Sequence, residues 1–259
     1  MSRLPPQTVT IGIVGKTNVG KTTFFSAATL IEAKIENRPF VTIEPNVGIA
    51  YVRKLCAHVE LGLSACNPKN SVCLSGYRFI PVKLYDVAGL IKGAHRGRGL
   101  GNKFMDDLRQ ADVLLHVVDM SGETDEEGNP VKPGYYDPLE EIESIEYEIN
   151  EWFHGVIARD WDRFSRGLDT LPWDEVVSRI AKKVSGLSIR REHVVEALRE
   201  SKLENTKPGS WREEELRLLT QKLRELAKPI VVVANKMDIP EAESNFKRVL
   251  DVLKNRKVV

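Results

Sequence analysis

The sequence predicts an α/β fold, a mostly parallel sheet with flanking helices and an inserted α-helical domain. Three observations predict it. Five short apolar runs, Val9–Val14, Val47–Val52, Phe79–Tyr85, Val113–Val118 and Ile230–Ala234, alternate with stretches that read as helix, the pattern of a parallel sheet covered on both faces. A glycine-bounded loop, Gly15-Lys16-Thr17-Asn18-Val19-Gly20-Lys21-Thr22, joins the first run to the first helical stretch. About one hundred residues between Asp119 and Lys228 carry helix signals of their own.

Composition narrows the class. The 259 residues suffice for one large domain, or a core domain with a smaller one. Hydrophobic residues make up 42% and charged residues 29%, as in ordinary globular proteins. A formal net charge of +1 gives no global attraction to nucleic acid or membranes. No apolar run reaches the ~20 residues of a membrane span. Three cysteines and an N-terminus without a secretory pattern argue for a reducing compartment and no disulfide framework. The expectation is a cytoplasmic monomer.

The loop matches the phosphate-binding pattern G-x-x-x-x-G-K-[ST] in its required context of strand, loop and helix. Gly15 and Gly20 permit positive φ and close approach of backbone to ligand. Amides of Asn18, Val19, Gly20 and their neighbours then form an anion cradle at the start of a helix over Thr23–Lys34. Lys21 supplies a point charge for the β- and γ-phosphates, and the Thr22 hydroxyl is placed for Mg²⁺. Asn37–Pro45, with two prolines and no period, reads as a loop. Residues 55–76 read as irregular.

The third apolar run ends at Asp86-Val87-Ala88-Gly89. A D-x-x-G at a strand end, downstream of a phosphate loop, is the arrangement of GTPases: the Asp reaches Mg²⁺ and the Gly amide senses the γ-phosphate. The fifth run ends at Asn235-Lys236-Met237-Asp238, a guanine-reading N-K-x-D sequence. Its Asp238 carboxylate would accept from guanine N1–H and the 2-amino group, which adenine lacks. Together these features predict a P-loop NTPase G domain whose ligand, GTP or GDP with Mg²⁺, sits at the carboxyl ends of the strands.

The inserted segment opens on a Pro/Gly-rich stretch, Gly122–Gly134. Asp137-Pro138-Leu139-Glu140 reads as a helix start, and Leu139, Ile142, Ile145, Ile149 and Phe153 follow at helical spacing. Asp174–Lys183 and Glu192–Leu203 read as helices, and Ser210–Glu213 as a capping box for another, ending near Ala227. The division expected is 1–125 and 226–259 for the G domain and 126–225 for the helical insertion, an antiparallel hairpin or small bundle.

With GKTNVGKTT (15–23), PFVTIEPNVG (39–48), the glycine-rich segment 86–112, HVVD (116–119) and NKMD (235–238) in hand, the chain resembles the Obg–YchF family of translation-associated GTPases, in its archaeal and eukaryotic YchF-like branch. The resemblance implies roles at matching positions. Thr42 resembles the switch I threonine that closes on Mg²⁺ and the γ-phosphate, Thr23 extends the phosphate loop, and Gly89 resembles the switch II glycine. Asn18 resembles an asparagine that helps hold a monovalent cation, so K⁺ is a candidate cofactor. His116 matches a position linked to hydrolysis; read from its residue type alone, it equally suits a core histidine. The family also implies the ribosome as partner. Set against the family's full pattern, the expectation is a chain cut short before a sixth strand and a C-terminal TGS domain, with the fifth strand left as an open edge.

Leu90 stands where many GTPases place a water-orienting Gln, so intrinsic hydrolysis is expected to be slow, with His95, His116, a cation or a partner left to position water. Two other functions stay open: an ATPase of the same family, and a nucleotide-gated ribosome-binding module with negligible hydrolysis. Basic residues of the insertion, interleaved with Asp and Glu, read as a solvated face. Cys56, His58, Cys66 and Cys73 fall within eighteen residues and are of zinc-ligating type. Their spacing lacks paired C-x₂₋₄-C knuckles, which favours isolated thiols over a zinc site.

Overall fold

The structure, a computed structural model, describes residues 8–30, 46–87, 89–90, 93–96, 108–254 and 258–259. Its strands are β1 (Thr10–Val14), β2 (Asn46–Leu55), β3 (Val72–Leu74), β4 (Tyr77–Asp86), β5 (Val113–Asp119) and β6 (Ile230–Asn235). They form one sheet in the order β2-β4-β1-β5-β6, with β3 paired to β4. The β4-β1-β5-β6 part is parallel. β2 runs antiparallel to β4 from Asn46↔Asp86 to Leu55↔Tyr77, because the connection between them contains no crossover helix. The region expected to be irregular, 55–76, thus contains the end of β2, a short strand and a helical turn. β1 pairs only with Lys83–Asp86 of β4, so the distal halves of β2 and β4 project past the sheet, where β2 is exposed.

The helices are α1 (Lys21–Thr29), α2 (Ala57–Glu60), α3 (Pro138–Ala158), α4 (Trp161–Arg166), α5 (Trp173–Val184), α6 (Arg191–Glu200), α7 (Glu213–Ala227) and α8 (Pro240–Val252). α1 begins at Lys21, is closed by Leu30 at φ 58, and so ends earlier than expected. The Asp137 carboxylate caps α3 by accepting from Leu139 N at 2.9 Å. The capping box expected at Ser210 does not form. Ser210 Oγ instead donates to Lys207 O at 2.8 Å within a short 3₁₀ turn, Pro208–Ser210. α7 is started by Arg212, whose amide donates to Glu215 Oε2 at 2.7 Å.

The core lies on both faces of the sheet. Ile13, Val19, Phe25, Leu84 and Val117 fill one face. On the other, Val14, Leu90 and Leu114 join a single apolar cluster with Ile145, Ile149, Phe153, Ile180, Leu198 and Leu219. The inserted helices therefore share their core with the sheet. The edge of β6 expected to lie bare is met by the last residues: Val259 N donates to Val232 O at 2.9 Å, and Ala234 N to Val259 O at 2.7 Å. No described helix is long and apolar enough to cross a membrane.

Asp137 also accepts from both terminal nitrogens of Arg248 at 2.8 Å, tying α3 to α8. Asp137→Ala should cost about 1–2 kcal/mol through loss of the cap, lowering Tm by about 2–4 °C per kcal/mol in calorimetric unfolding.

Candidate functional site

The glycine loop connects β1 to α1 at the carboxyl edge of the sheet. Gly15 has φ 147, and a Cβ there would meet Val117 O at 2.4 Å. Gly20 has φ 97, and its Cβ would meet Asn235 Nδ2 at 2.3 Å. Asn18 also adopts positive φ, 61°. Four of the loop's carbonyls are engaged by hydrogen bonds. Gly15 O accepts from Leu90 N at 3.0 Å and Gly20 O from Phe24 N at 2.9 Å. Lys16 O accepts from Lys21 Nζ at 2.6 Å and Val19 O from Asn235 Nδ2 at 2.7 Å. Carbonyls held this way leave the opposite side of the loop to its amides, the geometry of an anion nest.

Lys21 and Thr22 occupy the first turn of α1, and Thr23 follows on a more exposed side. Burial pushes the Lys21 ammonium down to about 8, against the pull of Asp86 and Glu141. Thr22 Oγ1 donates to Asp86 Oδ2 at 2.8 Å. Asp86 is fully buried at the end of β4, and its Oδ1 has no hydrogen-bond partner among the described residues. A hydroxyl beside a buried carboxylate with an orphaned oxygen is a donor set suited to a hard divalent cation such as Mg²⁺.

The Asn235-Lys236-Met237-Asp238 segment follows β6. Asn235 braces the loop, as above. Lys236 Nζ reaches Asp119 Oδ2 at 3.0 Å and Glu123 Oε1 at 2.9 Å. Burial alone would lower the Lys236 ammonium, but these carboxylates hold it above its usual range. Asp119, at the end of β5, also accepts from Ser121 Oγ at 2.5 Å and Thr124 Oγ1 at 2.7 Å. Burial raises its carboxyl, and these bonds together with Lys236 bring it below the ordinary range. The Asp238 side chain stands exposed beyond the strand end.

Gly89 abuts the loop: a Cβ there would lie 2.7 Å from Thr17 Oγ1 and 3.1 Å from Thr17 N. Leu90 is 1% exposed and packs into the helical core, so its side chain anchors the segment and offers nothing to a water molecule.

Two site residues escaped the sequence reading, both on α3. Glu148 accepts from Gly93 N at 2.7 Å and His95 N at 3.0 Å, and its Oε2 lies 2.6 Å from His95 Nδ1. Burial raises this carboxyl, but the two amides and the imidazole pull it below its usual range. Glu141 Oε2 lies 2.9 Å from Lys16 Nζ, which also donates to Thr124 O at 2.7 Å and sits 4.1 Å from the Tyr136 ring centre. Burial pushes Glu141 up to about 7 in spite of Lys16. The signal was available: Glu141 and Glu148, seven apart, lie on the same helical face as the apolar stripe.

The remaining expectations divide. Thr42 lies outside the described residues. Asn18 directs its amide at Gly128 O, 2.9 Å away. His116 is fully buried in β5, in register with Val14 and Val232. Cys56, His58, Cys66 and Cys73, expected from their spacing to stand as isolated groups, converge: their ligating atoms all lie within 4.8 Å of one another. The antiparallel β2–β4 ladder returns the chain on itself and brings the four together.

The 50S ribosome-binding GTPase family matches residues 10–156 of this sequence. An uncharacterized GTP-binding protein of Methanocaldococcus jannaschii is 45% identical over 96% of this chain and 61% of its own length. The ribosome-binding ATPase YchF of Bacillus subtilis is 35% identical over 88% of this chain and 56% of its own. A crystal structure of a GTP binding protein from Pyrococcus horikoshii OT3 superposes with a TM-score of 0.76 at 35% identity, across 96% of this chain and 63% of that one. The chain thus spans about three fifths of the length of these relatives. Its strand-loop-helix nucleus, mixed sheet and paired motifs carry the P-loop GTPase fold, and the chain belongs to the 50S ribosome-binding GTPases, within the Obg–YchF group.

Proposed function

We propose that this chain is a guanine-nucleotide switch that binds GTP and GDP with Mg²⁺ and hydrolyses GTP slowly. The observation that carries this reading is the meeting of three distant segments at one sheet edge: Thr22 beside Asp86 at 2.8 Å, and Asn235 on the phosphate loop at 2.7 Å. In this reading the loop amides and Lys21 bind the phosphates, and Thr22, Asp86 and Thr42 hold the cation. Mg²⁺ supplies neutralisation of the charge shared by the β- and γ-oxygens. The Gly89 amide senses the γ-phosphate, and Asp238 reads the guanine edge. Asn18 offers its Oδ1 to a monovalent cation, and His116 acts from beneath the switch. The 126–225 insertion works as a strut against the switch. A ribosomal partner is supported by the family and by the name of the Bacillus relative.

A second reading, ATP in place of GTP, is favoured by relatives named as ATPases, among them an Obg-like ATPase of rice at 30% identity. Against it stands Asp238, whose carboxylate would face no donor on adenine. Titration calorimetry with GDP, GTP and ATP in Mg²⁺ separates the two. Guanine nucleotides should bind about 10²-fold or more tightly than ATP. Equal or tighter ATP binding selects the second reading, and no heat from any nucleotide overturns both. Single-turnover hydrolysis of GTP should run on the order of 10⁻⁴–10⁻² s⁻¹.

Lys21 makes nucleotide affinity dependent on pH. Its ammonium sits near 8 in the free loop, and phosphate charge beside it raises that value. Binding therefore takes up a proton above pH 8, and affinity should fall by up to about tenfold per pH unit from there upward, with no contribution from Lys21 below. Calorimetry in buffers of different ionisation heat reads the proton directly.

Glu148 holds the turn at Gly93–Arg96 through two amides and the His95 ring. Glu148→Ala should release about 1–3 kcal/mol of that restraint. Amide hydrogen exchange at Gly93 and His95 should then quicken by about tenfold to a hundredfold, and unchanged protection would remove Glu148 from this role.

A further inference from the structure

The chain passes from the end of β2 through α2 and a loop into β3 and the start of β4. This knob lies at the end of the β2–β4 ladder opposite Asp86. Nine register steps separate Leu55↔Tyr77 from Asn46↔Asp86, which at ~3.3 Å per residue is about 30 Å. Among residues 57–80 no side chain is buried; Cys56, just before them, is fully buried. An ordered excursion of this length without an apolar core needs another source of cohesion, and in small elements that source is a disulfide or a metal.

We propose that Cys56, His58, Cys66 and Cys73 bind one Zn²⁺ in a closed, structural tetrahedral site. Cys56 Sγ lies 3.6 Å from Cys66 Sγ, and Cys73 Sγ lies 3.8 Å from His58 Nδ1. A tetrahedral centre with Zn–S near 2.3 Å and Zn–N near 2.0–2.1 Å requires S···S of about 3.8 Å and S···N of about 3.6 Å. These two separations match those of a ligand shell, and all four ligating atoms lie within 4.8 Å of one another. Four protein ligands leave no open position, so the ion does no chemistry there. Each ligand comes from a different piece of the knob: the end of β2, α2, the following loop and β3. One ion thereby closes the whole excursion.

The outer shell agrees. Binding releases the three thiol protons, and Zn²⁺ with three thiolates and a neutral imidazole carries one net negative charge. Arg78 supplies the balancing positive charge. Its Nη2 lies 3.1 Å from Cys56 Sγ and 3.8 Å from Cys66 Sγ, and its Nε lies 3.4 Å from Cys56 Sγ. Arg78 is itself held by Ser71 Oγ, which accepts from Nη1 at 3.2 Å, and it pairs with Cys73 in the β3–β4 ladder. Outer-shell donors to a metal thiolate characteristically fix ligand orientation in this way.

The test is metal analysis of the chain purified under reducing conditions without chelators. One zinc per chain is expected, falling to a small fraction in Cys66→Ser and in Cys73→Ser. Replacement by Co²⁺ in the unaltered chain should give intense tetrahedral d–d bands with thiolate charge transfer, a readout independent of whether the variants fold. Removing the metal should speed hydrogen exchange of residues 56–76 while leaving guanine-nucleotide affinity within about twofold, given the separation along the ladder. Absence of zinc after reconstitution with zinc chloride, a weak octahedral cobalt spectrum, iron in place of zinc, or a Cys56–Cys66 disulfide seen as loss of two hydrogens in the intact mass would each overturn the proposal.

Discussion

The constraint on which the rest depends is the outward engagement of the phosphate-loop carbonyls. Four of them are bonded to three parts of the protein: the segment after β4, α1 through the Lys21 side chain and the Phe24 amide, and the strand end of β6. A six-residue turn whose amides are left to one side is held through its carbonyls on the other. It is held from behind, by α1 and by two residues that other motifs supply, Leu90 after β4 and Asn235 at the end of β6. That is why Gly15 and Gly20 tolerate no side chain: Val117 O and Asn235 Nδ2 occupy the space a Cβ would need. The motifs are thus parts of one scaffold.

α3 extends that scaffold. Two carboxylates buried in an apolar stripe are costly unless each is fully partnered. Glu148 meets the cost with two amides and an imidazole. Among the described residues Glu141 has only the Lys16 ammonium in direct contact, and its burial outweighs the pull of Lys16 and Lys21, so it resists ionisation. Seven residues apart on one helix, they lie about 10.5 Å apart along its axis. One touches the phosphate loop and the other the turn after Gly89. Since α3 shares its core with α5, α6 and α7, a displacement of the inserted helices would be felt at both places through rigid packing.

The β2–β4 ladder joins two regions held by different physics. Near Asp86 alternate residues of the ladder, among them Ala50, Val82 and Leu84, are buried in the core, and apolar packing suffices. Past β1 no described element covers the ladder, β2 is exposed from Tyr51 to Leu55, and cohesion falls to the cluster of sulfur and nitrogen atoms with its guanidinium. The contrast follows from size: a few tens of residues cannot bury enough apolar surface to offset their ordering entropy.

What the sequence alone determined was whatever is encoded over short range. The alternation of apolar runs located the strands of β1, β4, β5 and β6 to within a few residues, and glycine spacing located the loop, because φ preferences and strand burial act on neighbouring residues. The three nucleotide motifs were legible for the same reason. Tertiary structure decided the partnerships of Lys16 with Glu141, His95 with Glu148 and Lys236 with Asp119, each between residues far apart in the chain. It also decided that β2 runs antiparallel, that Ser210 serves a 3₁₀ turn and not a helix cap, and that four zinc-type ligands with unpromising spacing share one point in space. Spacing rules describe ligands carried on one turn; here a strand reversal sets the distances, and a reversal depends on cross-strand pairing that no local window contains.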